Sequence, residues 1–298
     1  MNVLRAACRI TVLALCLLLP WRMAQAQFIT TEVPFVPTPT NVVDAMLQMA
    51  LVNRNDYLLD LGSGDGRIVI EAARKYGARG MGVELDSNLV FLANEEVKRQ
   101  RLAPQVSFVQ GNLLDADISR ATVLTLYLSR QINLRLRPRI LTQLRPGTRV
   151  VAHDFDMGEW KPDQHREISV PDKSYGPPVS QVYLWYVPAN VAGKWRWQLA
   201  IEGRTHDYEV AFSQSFQELW GEALVDGGTA SGPGASLRGD LITFALTREY
   251  FGQQMRHEFS GRVEGDKAIG RARVSVGGKD IALNWEAARV ERGKMQIE

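Results

Sequence analysis

Residues 57–66 read YLLDLGSGDG. A short apolar strand runs into a loop with glycine at every second position, and an apolar helical pattern follows directly. Glycine lets the backbone turn sharply and approach a ligand without interference from a Cβ atom. The first N–H groups of the following helix are free to bind a ligand at the same place. The stretch therefore predicts a nucleotide-type ligand at the carboxyl edge of an open α/β sheet.

The acidic residues around this loop indicate which ligand it binds. A dinucleotide site has the pattern G-x-G-x-x-G, whereas this loop reads D-x-G-x-G-x-G. Asp60 and Asp65 would repel a pyrophosphate, but they suit the cationic amino group of a methionine moiety. Glu84 closes the second strand, where an acidic side chain can accept hydrogen bonds from both ribose hydroxyls. The pattern favours S-adenosylmethionine over NAD.

Asn112 follows the third predicted strand and is the candidate for binding the adenine edge. A turn-forming Gly-Asn pair is the alternative interpretation of the same residue. The predicted cofactor-binding residues are Asp60, Gly62, Ser63, Gly64, Asp65, Gly66, Glu84 and Asn112.

Short apolar strands alternate with helical patterns from residue 41 to residue 188, which predicts an α/β fold. We expect a Rossmann-like, doubly wound and mostly parallel sheet. Thr38 is predicted to cap the first helix, with Pro39 at the first helical position. The predicted strands are 57–61, 80–84, 106–109, 123–126, 149–153 and 182–187, and the later helices are 66–76, 87–101 and 131–144.

Residues 189–298 change to an alternation of apolar and polar residues, separated by turn clusters at 226–228 and 277–278. This pattern predicts a smaller domain of seven or eight antiparallel strands, either a sandwich or an up-and-down barrel. Residues 227–234 (GGTASGPG) are predicted to form a flexible hairpin loop. Four tryptophans are expected in the core, with a partner-binding face as the alternative: Trp195, Trp197, Trp220 and Trp285.

The first 26 residues are predicted to be an export signal. Arg5 and Arg9 precede an apolar run of about ten residues, and Ala24-Gln25-Ala26 supplies a cleavage site. A bilayer-spanning helix needs roughly 20 apolar residues, so a cleaved signal is favoured over an uncleaved anchor. We therefore expect a periplasmic protein with no stable membrane span, and an extended arm over residues 27–40.

Composition gives no argument for a nucleic-acid partner. The predicted signal contains three arginines and no acidic residue, so the remaining chain has 32 basic and 33 acidic residues. Both cysteines, Cys8 and Cys16, also lie in the signal. The mature chain is therefore expected to have no thiol chemistry.

Residues 34–163 resemble the class I S-adenosylmethionine-dependent methyltransferases. More narrowly, they resemble the family that includes the mitochondrial lysine methyltransferases acting on the ATP synthase c-subunit and on the adenine nucleotide translocase. The matching stretches are 33–38 (VPFVPT), 60–71 (DLGSGDGRIVIE), Glu84, Leu89-Val90, 126–129 (LYLS) and 153–163 (HDFDMGEWKPD). The resemblance implies cofactor binding through Asp60, Gly62, Gly64 and Glu84, and lysine side chains as methyl acceptors. Many members have an acid where this chain has Asn112, and the mitochondrial enzymes lack the β-rich domain.

Methyl transfer to an amine requires the enzyme to align the nucleophile, remove its proton and exclude water. Tyr127, His153 and Asp154 follow strands four and five and are predicted to face the methyl group. His153 or Asp154 is the candidate for accepting the proton, and structural loop residues are the alternative interpretation. No Asn-Pro-Pro-Tyr-type motif follows strand four, so an amino-nucleobase acceptor is not expected.

Two other functions fit the sequence less well than methylation of a protein lysine. A small-molecule methyltransferase would need a closed pocket over Tyr127 and His153. An exported, non-catalytic binding protein would be expected to have a degraded glycine loop, but the loop is intact. A metal is not predicted, because the spacing of His153, Asp154, Asp156 and His165 matches no metal-binding motif.

Overall fold

The computed structural model describes residues 35–174, 176–232, 234–250 and 252–297. The predicted signal and residues 27–34 of the predicted arm lie outside this range. Phe35–Glu298 form one compact unit that contains two separate β-sheets. No helix in the described ranges is long and apolar enough to cross a membrane.

In the described part of the chain, the first sheet contains seven strands and is flanked by helices. Its strands are β1 (Tyr57–Leu61), β2 (Arg79–Glu84), β3 (Val106–Gln110), β4 (Val123–Leu126), β5 (Arg149–His153), β6 (Gln164–Ser169) and β7 (Val179–Tyr186). The helices are α1 (Thr40–Met49), α2 (Arg67–Tyr76), α3 (Ser87–Arg99) and α4 (Arg130–Gln143).

The strand order is β3-β2-β1-β4-β5-β7-β6, and β1 to β5 are parallel. Strands β7 and β6 are antiparallel to their neighbours. The order of strands reverses at β1, so a crevice opens between the loops that follow β1 and β4. This arrangement confirms the predicted doubly wound, mostly parallel sheet, and it places the glycine loop at the reversal point.

Alternate residues of β1 anchor hydrophobic cores on the two faces of the sheet. Leu58 packs into a core built from α1, α2 and α3, whereas Leu59 and Leu61 pack into one built largely from α4. Burial of both faces explains why β1 is apolar along nearly its whole length. Asp60 lies on the Leu58 side and is buried with it.

The sequence did not predict the start of α1 or the presence of β6 correctly. Helix α1 begins at Thr40 with Pro39 as its N-cap, because the Pro39 carbonyl accepts hydrogen bonds from the Val42 and Val43 N–H groups. Thr38 is therefore not the cap, and its hydroxyl lies beside His153 instead. Strand β6 is a mostly exposed edge strand, so it lacks the apolar pattern from which strands are recognised.

The second sheet contains nine strands within the described residues, all antiparallel. They are β8 (Gly193–Ile201), β9 (Arg204–Ser215), β10 (Glu218–Val225), β11 (Gly228–Ala230), β12 (Ser236–Arg238), β13 (Leu241–Tyr250), β14 (Gln253–Glu264), β15 (Lys267–Val276) and β16 (Lys279–Arg292). The strand order is β11-β10-β9-β8-β16-β15-β14-β13-β12. Ser231 and Thr247 exchange two backbone hydrogen bonds of 2.8 Å, which close the sheet into a barrel.

The barrel interior is aromatic. Trp195, Trp197 and Trp285 are buried in its core, as predicted, whereas Trp220 is 46% exposed on the surface. The prediction of a flexible loop over residues 227–234 was wrong for Gly228–Ala230, because these residues form β11. Strands of three residues are too short to show an alternating pattern, which is why β11 and β12 were not recognised.

The barrel packs against the first sheet through the turn between β9 and β10. Phe216, at the tip of this turn, is buried in the α4-side core, and its ring is 6.3 Å from that of Trp160. Gln217 Nε2 donates a hydrogen bond of 2.7 Å to the Lys161 carbonyl. The boundary near residue 188 therefore separates two sheets that share part of one core.

Candidate functional site

The glycine loop between β1 and α2 is held against β2. The N–H groups of Gly62 and Ser63 donate to the Val83 carbonyl at 2.9 and 3.1 Å. Gly64 and Gly66 have φ angles of +55° and +81°, a region that side chains rarely adopt. A Cβ atom on Gly64 would overlap the ring of Phe35, and one on Gly66 would overlap Phe108. The loop therefore requires glycine at both positions.

Glu84 fixes the loop from the end of β2. Its Oε2 accepts a hydrogen bond of 2.8 Å from the Gly64 N–H. Its Oε1 accepts bonds of 2.8 and 3.0 Å from the N–H groups of Leu85 and Asp86. A carboxylate has about four lone-pair sites and these bonds use three of them, so Oε2 can accept a hydrogen bond from a ribose hydroxyl without breaking these contacts. Glu84 thus lies beside the loop, as the spacing predicted.

Asp60 is a buried carboxyl at the entrance to the loop. Burial raises its pKa to about 7, although a hydrogen bond of 2.7 Å from the Thr125 hydroxyl lowers it. The nearby carboxylates of Glu84 and Asp65 raise its pKa further. Among the described residues, no basic side chain pairs with Asp60. A cationic ligand group would therefore be strongly favoured beside it.

Ser63 and Asp65 occupy different environments within the loop. The Ser63 hydroxyl is buried and has no hydrogen-bond partner in the described part of the chain. Buried hydroxyls normally have a partner, so a polar group of a bound cofactor would satisfy it. Asp65 instead pairs with Arg67 at 2.5 Å, and Arg67 Nη1 donates to the Thr38 carbonyl at 2.9 Å. Asp65 and Arg67 thus connect the loop to the segment preceding α1.

Asn112 is exposed just after β3, and its Oδ1 accepts a hydrogen bond of 3.0 Å from the Leu114 N–H. This contact is the turn conformation that the sequence offered as an alternative. The Nδ2 group is a donor, so binding an adenine ring nitrogen remains compatible with this turn.

His153 ends β5 in a fully buried position. Its Nε2 is 2.8 Å from the Ser180 hydroxyl, and its Nδ1 is 3.3 Å from the Thr38 hydroxyl. Burial lowers its pKa to about 4, despite the opposing effect of Asp154. The imidazole is therefore neutral at physiological pH. Its ring stacks on Tyr127 with a centroid distance of 3.8 Å, so His153 supports the Tyr127 ring.

The Asp154 side chain is held by Lys173 and by the Gln181 backbone, and Asp154 has a φ angle of +61°. Its Oδ2 pairs with Lys173 Nζ at 2.7 Å, and its Oδ1 accepts a bond of 2.9 Å from the Gln181 N–H. Lys173 Nζ also donates to the Val179 carbonyl at 2.8 Å. The side chains of Asp154 and Lys173 are both largely buried. This pair fixes the backbone after β5 in an unfavourable conformation.

The structure brings the predicted residues into two groups. Asp60, the glycine loop and Glu84 form one group, and Tyr127, His153 and Asp154 form the other. Both groups lie at the carboxyl edge of the parallel strands, because β1, β4 and β5 are neighbours. The sequence did not reveal four side chains that support them: Phe35, Thr125, Lys173 and Ser180. These residues come from distant segments, so no local spacing indicated them.

The possible metal ligands do not converge. His165 stacks on Tyr183 at 4.6 Å and contacts Gln181 Oε1 at 2.5 Å, whereas Asp156 binds Arg130. In the described ranges, no group of three or more His, Cys, Asp or Glu side chains is arranged to hold a metal ion.

The sheet order, the glycine loop at the reversal point and the acidic end of β2 together define a class I methyltransferase. Comparison with known proteins identifies the family within this class. Residues 60–164 match the family model of the ANTKMT methyltransferase domain. Over 134 residues the chain is 41% identical to a protein-lysine N-methyltransferase of Saccharolobus islandicus (strain REY15A), covering 45% of this chain and 83% of that protein.

A second relative is the adenine nucleotide translocase lysine N-methyltransferase of Mus musculus, which is 32% identical over 132 residues. That match covers 44% of this chain and 57% of the relative. A solved structure described as an RNA methyltransferase from Salinibacter ruber, in complex with S-adenosyl-L-homocysteine, is 51% identical with a TM-score of 0.48. The similarity covers 52% of this chain and 96% of that one.

The chain therefore belongs to the family of S-adenosylmethionine-dependent methyltransferases that includes these protein-lysine N-methyltransferases. It is an enzyme of this class, and S-adenosylmethionine is its methyl donor. The family match ends at residue 164, so the barrel lies outside the matched part.

Proposed function

We propose that this enzyme methylates the ε-amino group of a lysine side chain in a protein. The observation that carries the proposal is the preformed loop, in which Glu84 holds Gly64 beside the buried Asp60, a carboxyl without a basic partner among the described residues. The lysine acceptor is supported by the 41% identity to a relative that acts on protein lysine.

Each polar residue at the loop is suited to a different chemical group of S-adenosylmethionine. Asp60 would hold the amino group of the methionine moiety, and Glu84 would accept the ribose hydroxyls. The Ser63 hydroxyl would bind a polar cofactor atom, and Asn112 Nδ2 would bind the adenine edge. When bound, S-adenosylmethionine supplies an electrophilic methyl group on a sulfonium sulfur.

Tyr127 is the residue we assign to the acceptor side. Its ring is stacked on the neutral, buried His153, which Thr38 and Ser180 hold in place. A fixed aromatic wall would guide the apolar stem of a lysine and orient its amine for in-line attack. His153 and Asp154 act as positioning residues here, because the contacts of both side chains with their neighbours already use their polar atoms.

The proposal is tested by incubating the purified enzyme with methyl-labelled S-adenosylmethionine and bacterial protein, RNA and small-molecule fractions. We expect label in methyllysine after acid hydrolysis of the protein fraction, and at least tenfold less label when Gly64→Ala replaces the wild type at a subsaturating donor concentration. Label confined to RNA or to the small-molecule fraction would contradict the lysine acceptor, because the donor site would then work on another nucleophile.

We also propose that the enzyme is exported to the periplasm with residues 1–26 as a cleaved signal. The support is the pattern of Arg5 and Arg9, the short apolar run and Ala24-Gln25-Ala26. N-terminal sequencing of the protein from a periplasmic extract is expected to begin at Gln27. Recovery of the full-length chain from the cytoplasm would contradict export.

A further inference from the structure

A cavity of about 500 Å³ lies between the first sheet and the barrel, away from the glycine loop. Its walls include Asp56 and Thr122, which precede β1 and β4, and Arg149, which begins β5. Because these strands are parallel, their amino ends lie at the sheet edge opposite the cofactor loop. The barrel contributes Arg238 and Arg262 to the other wall. The cavity is therefore separate from the site described above.

The lining of this cavity is strongly basic. It contains two aspartates and five arginines: Asp56, Asp240, Arg120, Arg145, Arg149, Arg238 and Arg262. Arg149 pairs with Asp56, and Arg262 pairs with Asp240 at 2.6 Å. Within the described ranges, the other three arginines form no ion pair with a carboxylate. Three arginines of the lining therefore have no carboxylate within ion-pair distance in the described residues, although Asp163 and Asp117 act on Arg238 and Arg120 from further away.

Contacts with the protein fix two of these three guanidinium groups. Arg238 lies over the Tyr186 ring at 4.1 Å from its centroid, and Arg120 lies over Tyr57 at 5.0 Å. Stacking of this kind pre-orders a guanidinium while its N–H groups stay available. Arg238 also lowers the pKa of Asp163, although burial keeps that pKa raised overall. The arginines thus present an ordered set of donors to whatever enters the cavity.

The backbone between the two walls is closely packed. The Gly239 carbonyl accepts a hydrogen bond of 2.8 Å from the Ala189 N–H, and a Cβ atom on Gly239 would lie 2.8 Å from Gly147 Cα. This close approach joins the walls at one side of the cavity. A ligand inside it would contact both the sheet and the barrel.

We propose that this cavity binds a phosphate-bearing small molecule of nucleotide size that joins the barrel to the methyltransferase sheet. Its volume falls in the range of about 300–1,000 Å³ typical of small-molecule sites. Arginine forks match phosphate oxygens in bidentate geometry, and three arginines that form no ion pair within the described residues suit a chain of phosphates better than a single anion. The proposal does not depend on the identity of the methyl acceptor.

The test is calorimetric titration with inorganic triphosphate and with ATP, in the presence of saturating S-adenosylhomocysteine so that adenine cannot enter the cofactor loop. The double variant Arg120→Gln/Arg238→Gln removes the two stacked charges. The control Arg204→Gln/Arg273→Gln removes two exposed barrel arginines that form no ion pair within the described residues. Thermal melting verifies that all variants fold. Arg145→Gln removes one exposed arginine of the lining and is expected to weaken triphosphate binding without affecting folding.

We expect triphosphate to bind the wild type, and to bind the cavity double variant at least tenfold more weakly. The control should stay within twofold of the wild type. Tighter binding of ATP than of triphosphate would identify a nucleotide, and equal binding would identify free polyphosphate. Absence of binding to the folded wild type, or equal weakening in the control, would overturn the proposal. So would a single-stranded oligonucleotide that binds 100-fold more tightly than ATP.

Discussion

Asp60 is the residue whose protonation most directly affects cofactor binding. In the free enzyme its pKa is raised to about 7, mainly by burial. A cationic group beside it favours the ionised form, so ligand binding should release a proton at pH values below about 7. The affinity for S-adenosylhomocysteine is expected to rise about tenfold from pH 5.5 to pH 7. Calorimetry in two buffers of different ionisation enthalpy measures both effects.

Asp60→Asn is the control for this pH dependence. The amide cannot ionise, so the variant should bind more weakly at pH 7 and with an affinity that is the same at both pH values. Equal affinity of the wild type at pH 5.5 and pH 7, without proton release, would show that Asp60 does not face the cationic group.

The ionisation of Asp60 also affects folding, with a sign opposite to that of His153. Because the pKa of Asp60 is higher in the folded protein than in the unfolded chain, the free energy of unfolding falls as pH rises from 3.8 towards 7. His153 and His257 have pKa values lowered to about 4 in the folded protein, so protonation of the unfolded chain lowers the free energy of unfolding as pH falls from 6.5 towards 4. These opposing trends are expected to place the maximum stability near neutral pH, which urea denaturation over a pH series measures.

At the scale of elements, the Asp154–Lys173 pair joins the end of β5 to the segment between β6 and β7. Lys173→Met would leave a largely buried carboxylate without its cation, which we expect to lower the unfolding free energy by about 3 kcal/mol. The matched control is Lys161→Met, which removes an exposed ion pair with Glu218 and should cost less than about 1 kcal/mol. Urea denaturation measures both changes, and an equal loss in the two variants would contradict a structural role for the Asp154–Lys173 pair.

The elements differ in how far the sequence could reveal them. Strand β1, the glycine loop and α2 were predictable because their residues carry the pattern locally, and Glu84 followed from its spacing to the loop. Strand β6 was missed because its side chains are mostly exposed. Thr38 was assigned as a cap because a Thr-Pro pair suits a helix start, and only the fold shows that its hydroxyl lies beside His153. Lys173 was missed because it reaches Asp154 through tertiary structure alone.

At the scale of the whole molecule, Phe216 connects the barrel to the core of the methyltransferase sheet. It is 5% exposed, and its ring packs near Trp160. Phe216→Ala is expected to lower the unfolding free energy by about 3 kcal/mol, because it leaves a cavity where the two sheets meet. Phe91→Ala removes a phenylalanine that is 64% exposed and should change stability by less than about 0.5 kcal/mol. Two separate unfolding transitions in the wild type would show that the sheets do not share a core.

Binding of the methyl donor by the glycine loop is measured by titrating the purified enzyme with S-adenosylhomocysteine. Gly64→Ala introduces a Cβ atom against Phe35 at a positive φ, whereas Gly203→Ala introduces one at a positive φ with no atom of the described residues within 4 Å. We predict micromolar binding by the wild type and by Gly203→Ala, and a loss of at least tenfold in Gly64→Ala. Absence of binding by the folded wild type, or unchanged binding by Gly64→Ala, would show that the glycine loop does not bind the methyl donor.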